Sequence, residues 1–359
     1  MTAVVLCVNL LGMQHSVCKF LLPLLLLFAC NQSQMTDYQL SVRVLKGSLR
    51  AEPSEKSREI ATLTKDQQLL DLEETSSFES QISEGGARYQ TPWLKVQTTD
   101  NQVGWVLAYA IKPNKAQKDW LLQKRLDCYF GKNLRDDRNQ LLEQFAQVET
   151  DAQLAMVWDN AVTLRDTFLE LLSSRPEPGY QPQFDWLAEV LPAFVSQKNK
   201  DFPWPFLFAE YRIFQDIALK TNGLQDDAFF SLCIKAYPLD SIESFFPVWT
   251  FQLSESTAAS QLGTGQHSEM LHKIDAALES GPFFAKSLSR MKEQVLEDIF
   301  GKKQQYWQPK EKIVAELSEL LTNPPQCLSI QDRTALEIRQ KMFEEPEANG
   351  LKVNLRSGE

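Results

Sequence analysis

The chain has 359 residues, enough for two or three domains, and its 43% apolar and 23% charged residues form an ordinary globular balance that excludes disordered and collagen-like classes. Acidic residues outnumber basic ones 47 to 37, giving a net charge of −10. No basic run offsets that charge, so the surface repels phosphate backbones and nucleic acid is not an expected partner.

The amino terminus reads as an export signal. Residues 20–29 form one apolar run behind Lys19, the single charged residue of the first 29. That run suits the apolar core of a signal peptide and falls well short of the roughly 20 residues a spanning helix needs. Starting the span at Ala3 would bury Lys19 in mid-membrane at about 3 kcal/mol. The leader is expected within 1–29, with translation from Met13 giving a short basic start and Cys30 closing it. Leu27, Phe28, Ala29 and Cys30 resemble the lipobox of bacterial lipoproteins; Phe28 departs from it, a smaller residue being usual there. The resemblance implies cleavage before Cys30, lipid on its thiol and attachment to a membrane of the bacterial envelope. At about 0.8 kcal/mol per buried CH₂, two or three acyl chains hold permanently. The polar residues 30–37 suit a tether.

Residues 38–113 alternate and turn like a small β-domain. Short strands are expected at 41–44, around 49–54, at 60–63 and at 69–72. The strictly alternating Trp93-Leu94-Lys95-Val96 follows. A turn at 100–104, a strand at 105–106 and a closing strand near 109–111 complete the set. Leu49, Arg50, Pro53 and Ser54, then Trp93, Lys95 and Val96, then Asp100, Gly104, Trp105 and Val106 together resemble the bacterial Src-homology-3-like (SH3b-type) domain. Asp66 and Asn101 stand where that family often has glycine, and both residue types accept left-handed turn geometry. The polar stretch 74–92 reads as an extended hairpin loop. The resemblance implies a binding module, in some members for cell-wall peptides. Trp93, Trp105 and Tyr109 are the candidate ligand contacts, because amphipathic rings suit recognition surfaces. The competing reading makes Trp93 and Trp105 packing residues of a small barrel.

From 114 the apolar period becomes helical, and 114–345 reads as an all-α domain, an irregular bundle or solenoid without a fixed repeat. Helices are expected over 118–130 and 134–148. Thr150 and Gln153 then form a capping box ahead of the stripe Leu154, Val157, Trp158, Ala161, Leu164 and Phe168. Three prolines and a glycine in 175–182 break the chain. Further helices are expected over 184–195, 206–219, 228–237, 242–253, 269–278, 288–300, 313–321 and 329–342. The tail 346–359 is polar, with a terminal strand expected at 351–355.

No catalytic or cofactor motif is present. His267 and His272 lie five residues apart, about 140° around a helix, which does not build a zinc site. The acidic pairs Asp136, Asp137 and Asp226, Asp227 read as helix-start residues rather than glycosidase carboxylates. Cys128, Cys233 and Cys327 are too scattered for a metal or redox motif and read as buried apolar thiols. The stretch 202–208, rich in proline and aromatics, reads as the start of a buried helix, or else as a pocket lip. The fold class expected is therefore α+β, a small SH3-like β-barrel followed by a large all-α domain. The expected function is that of an envelope lipoprotein that binds or scaffolds, with a cell-wall peptide or another envelope protein as partner. A cell-wall hydrolase with its site in the helical domain is the alternative.

Overall fold

The computed structural model describes residues 39–84, 86–117, 119–175, 183–198, 204–238, 246–254, 257–301 and 305–355. The expected leader, Cys30 and the tether lie outside the described residues, as do parts of the proline-rich break and of the stretch 202–208.

The first region is one antiparallel sheet. Its strands are β1 (Leu40–Val42), β2 (Lys46–Arg50), β3 (Glu59–Thr64), β4 (Gln68–Glu84), β5 (Ala87–Thr98), β6 (Val103–Leu107) and, after a 3-10 turn over Ala108–Ala110, β7 (Ile111–Pro113). Their order is β3-β2-β6-β5-β4-β1-β7, so the sheet curls but keeps two edges and is a half-barrel rather than the closed barrel expected. Turn chemistry fixes the tight connections: Asp66 has φ 63° and Asn101 φ 66°, and each side chain is short and polar enough for that geometry. Leu40, Val42, Leu49, Leu63, Leu69, Leu94, Val96 and Val106 form the core on one face.

The stretch expected as a loop is instead a β-ribbon. β4 and β5 stay paired out to Glu84 and Ala87, with register shifts between Asp71 and Glu74 and between Thr75 and Glu79. Polar residues on both faces hide a strand from a hydrophobic pattern, while the backbone ladder still closes. The bulges bend the ribbon and re-aim side chains. Glu79 becomes fully buried and faces the next element.

That element, α1 (Trp120–Ala146), is two helices joined at Gly131, whose φ of 82° and ψ of 164° only glycine adopts at no cost. Its first half docks on the ribbon. Lys124 pairs with Asp71 at 2.6 Å and Arg125 with Glu79 at 3.0 Å, while the Tyr129 hydroxyl donates to Glu79 at 3.1 Å. Burial pushes the Glu79 carboxyl above its usual range, and the Arg125 cation pulls against that shift. Arg175 adds hydrogen bonds to the carbonyls of Ser77, Cys128 and Tyr129.

The expectation of an all-α second domain is overturned. After α2 (Asp151–Ser173), which starts with the Thr150–Gln153 capping box, come a 3-10 turn (Asp185–Glu189) and a hairpin of β8 (Phe194–Gln197) and β9 (Phe206–Ala209). The helix expected at 184–195 is therefore wrong, and of the helix expected at 206–219 the first four residues are a strand, the helix starting only at Tyr211. Pro205 holds φ near the extended region and removes a donor, and in the four aromatic-rich residues after it Leu207 and Ala209 are buried alternately, the period of a strand. α3 (Tyr211–Ala218) and α4 (Gln225–Ala236) follow. A second hairpin of β10 (Thr250–Gln252) and β11 (Ala258–Ser260) then replaces part of the helix expected at 242–253. α5 (Gln266–Glu279), α6 (Ala285–Phe300), α7 (Lys310–Thr322) and α8 (Ile330–Glu344) complete the chain. In place of the terminal strand expected at 351–355, the chain makes a single bridge from Lys352 to Gln305.

Two buried polar joints organise this region. Glu316 of α7 accepts backbone N–H groups of Gly263, Gly265 and Ser268, satisfying the start of α5. Arg339 of α8 donates to the carbonyls of Ile299 and Gly301, closing the end of α6.

Candidate functional site

The three aromatic residues singled out on the sheet do not share one groove. Trp93 is 1% exposed, its indole Nε1–H donates to Ser80 Oγ at 2.7 Å, and its backbone N–H donates to Ser76 Oγ. A ring with no open face makes no ligand contact, so Trp93 is a packing residue of the ribbon. Trp105 is half-buried, opposite Lys95 in register, with the Lys95 ammonium 5.9 Å from its ring centre. Tyr109, also half-buried, packs against Tyr89 at 5.0 Å and lies under the Arg43 guanidinium at 4.4 Å. Arg43 and Tyr89 were not anticipated from sequence. The alternation of Tyr89 with its neighbours was the available signal, hidden inside a stretch read as a loop.

The larger feature lies in the second region. A cavity of about 670 Å³ opens between α2, the β8–β9 hairpin, α4 and α6. Its size falls within the range of small-molecule sites. One wall is a ladder of rings. Trp158 lies 5.8 Å from Tyr211, Tyr211 stacks on Tyr237 at 5.6 Å, and Tyr237 meets Trp249 at 5.8 Å. Phe208 of β9 also faces the cavity, so within the stretch 202–208 the described residues 204–208 contribute to a pocket wall and lead into a strand rather than a helix. The rings stand where they do because Trp158 is held on both sides. Its Nε1–H donates to Ser287 Oγ at 2.9 Å, and Phe214, Phe229 and Phe230 pack edge-on around it.

The adjoining wall is α6, joined to the ladder by the Trp158–Ser287 and Tyr237–Gln294 hydrogen bonds. Ser287, Arg290, Met291, Gln294, Glu297 and Asp298 face the cavity, spaced by three and four residues as one helix face demands. At one end Arg290 reaches Asp166 at 3.9 Å, and Arg165 of α2 binds the same carboxylate at 2.7 Å. At the other end Asp298 Oδ2 accepts from the Ser260 hydroxyl at 2.5 Å and pairs with His267 Nε2 at 2.7 Å. Ser260, His267 and Asp298 invite comparison with a hydrolytic triad, but the geometry differs. Ser260 Oγ is 3.5 Å from His267 Nε2, both groups converge on one aspartate oxygen, and Ser260 and His267 are completely buried. A triad needs the imidazole between hydroxyl and carboxylate, with one nitrogen for each. Here the pair fixes the plane of the Asp298 carboxylate at the cavity floor.

The tyrosines and the cysteine of the wall are neutral. Burial pushes the Tyr211 and Tyr237 hydroxyls well above their usual range, and does the same to the Cys233 thiol. A protonated thiol is a poor nucleophile. Cys128 and Cys327 are likewise free thiols raised by burial, the latter to about 12 and only partly covered. His267 is buried and His272 exposed, so α5 does not bring the two imidazoles together. Asp226 and Asp227 occupy the first turn of α4, whereas Asp136 pairs with Arg135 inside α1. Among the described residues no helix is long and apolar enough to cross a membrane. Compared with known proteins, the chain matches no family model, no curated protein and no solved structure.

Proposed function

We propose that the chain is a membrane-anchored envelope lipoprotein that works as a binding protein. Lipid on Cys30 holds it at the envelope. The SH3-like sheet offers a contact surface through Tyr109, Tyr89, Arg43 and Trp105 to a cell-wall peptide or another envelope protein, and the second region holds a small ligand. The observation that carries the binding role is the aromatic-walled cavity, which brings Arg165 and Arg290, the acids Glu297 and Asp298, and the half-buried, neutral Tyr211 and Tyr237 to one lining. Such a wall supplies orientation and apolar contact, which is what recognition needs. The hydrolase alternative draws on Ser260, His267 and Asp298, but the shared aspartate oxygen and the burial of the hydroxyl argue against a nucleophile there.

Two experiments test this reading. The first plugs the mouth of the cavity with Gln294→Trp; Gln294 is exposed and meets the Tyr237 hydroxyl. The full chain should bind an amphipathic anilinonaphthalene dye with one-to-one stoichiometry. Gln294→Trp should weaken that binding at least tenfold with an unchanged melting midpoint. Equal dye binding by a folded variant would remove the cavity as the site. The second replaces the anchor. Cys30→Ser should leave the membrane fraction or stay unprocessed, and an unchanged fractionation with no lipid on the mature terminus would overturn the anchor.

A further inference from the structure

The two ends of the cavity carry opposite charge. Arg165 and Arg290 come from different helices, α2 and α6, yet both guanidiniums reach Asp166. One carboxylate balances one of the two cations, so this end keeps a net positive charge. Glu297 and Asp298 lie seven and eight residues further along α6 and face the same cavity. At 1.5 Å per residue the helix carries them about 10–12 Å from Arg290. Ser260 and His267 hold Asp298 in one orientation, so the acidic end is pre-set rather than adaptable. The ladder from Trp158 to Trp249 runs alongside this face of α6, joined to it where Trp158 meets Ser287 and Tyr237 meets Gln294.

We infer that this cavity takes a short zwitterionic chain, its carboxylate at Arg165 and Arg290, its ammonium at Glu297 and Asp298, and an apolar or aromatic middle against the ring ladder. The inference rests on the binding role proposed above and narrows it to a ligand class. Three arguments lead to it. A guanidinium pair reads a carboxylate with charge-assisted hydrogen bonds. A carboxylate flanked by aromatic faces reads an ammonium, through charge and through the ring quadrupole together. The spacing then selects length. Three extended peptide residues span about 10 Å, close to the axial distance between the charged ends. A cavity of about 670 Å³ holds a chain of that size with room for one large side chain. A purely anionic ligand would leave Glu297 and Asp298 facing negative charge, and a purely cationic one would face the arginines.

The test is calorimetric titration of the full chain in detergent with alanyl-phenylalanyl-alanine and three derivatives: N-acetylated, C-amidated, and blocked at both ends. The free tripeptide should bind tightest. Each block should weaken binding about tenfold, as expected for loss of one charge-assisted contact. Two exposed α6 variants assign the ends without threatening the fold. Arg290→Gln should abolish the preference for acid over amide and keep the preference for free amine over acetyl. Glu297→Gln should do the reverse. Four peptides of equal affinity, or no peptide binding while the dye still enters the cavity, would overturn the inference and leave the binding role standing. Failure of both peptides and dye would overturn both.

Discussion

The core of the sheet is leucine, valine, isoleucine and alanine, whereas the second region packs Phe130, Phe168, Phe184, Phe214, Phe229 and Phe230 with Trp158 and Trp186. The materials have different consequences. Branched aliphatic side chains interdigitate and leave little space between them. Rigid rings meet edge to face at 5–6 Å, as Trp158 does with its phenylalanine neighbours, and where their edges diverge a hollow with aromatic walls remains. The cavity is thus a product of how the second region is packed. The sheet, with its small core, docks the long β4–β5 ribbon on α1 through buried ion pairs.

The sharpest way to break this comparison is to remove a ring from the aromatic core. Phe230 is fully buried and packs against Trp158, Phe214, Phe229 and Phe284. Phe230→Ala should cost about 3–5 kcal/mol in urea denaturation and loosen the cavity wall. A cost below about 1 kcal/mol would mean that the rings are not what holds the region together.

The docking of the two regions is tested next. Arg125→Ala leaves Glu79 buried without its cation, and should cost about 3 kcal/mol near neutral pH. Because burial already raises the Glu79 carboxyl in the folded protein, the folded form holds that proton more tightly than the unfolded chain. The group's contribution to stability is therefore greatest in acid and falls as pH rises from the unfolded value, about 4.3, through the raised folded value. Removing Arg125 steepens that fall, so the gap between wild type and Arg125→Ala should widen from about pH 4 to about pH 7. A gap that narrows over the same range would contradict the assignment of Glu79 as the buried partner.

Parts of this architecture are legible in the sequence for local reasons. Asp66 and Asn101 are turn residues because their side chains tolerate positive φ, and Thr150 with Gln153 caps α2 because they stand three positions apart. The stripe from Leu154 to Phe168 is buried as its period requires. The misreadings have a common physical source. A four-residue aromatic run such as Phe206–Ala209 fits a helical or a strand period equally well, and only pairing with β8 decides. The outer part of the β4–β5 ribbon is mostly polar, so Phe78, Ile82 and Tyr89 are too sparse there to set a strand period against the polar residues around them. Trp93 sits in a motif that marks a strand, but the covering ribbon that buries it comes from residues 76–80, whose polar sequence reads as loop. The cavity draws its walls from several elements separated by more than a hundred residues. Arg165, Trp249 and Asp298 therefore carry no shared spacing that a sequence pattern could reveal.

The central claim, that the small-ligand site is in the aromatic region and not on the sheet, is open to one direct measurement. The chain has eight tryptophans, and those of the cavity (Trp158, Trp249) differ in place from those of the sheet (Trp93, Trp105). Fluorine NMR of the full chain labelled with 5-fluorotryptophan, each resonance assigned by a Trp→Phe variant, reports on all of them during titration with the free tripeptide. The account predicts that Trp158 and Trp249 shift with a common saturation curve while Trp93 and Trp105 stay in place. Movement of Trp105 alone, with Trp158 and Trp249 unchanged at saturation, would contradict it and return the site to the sheet.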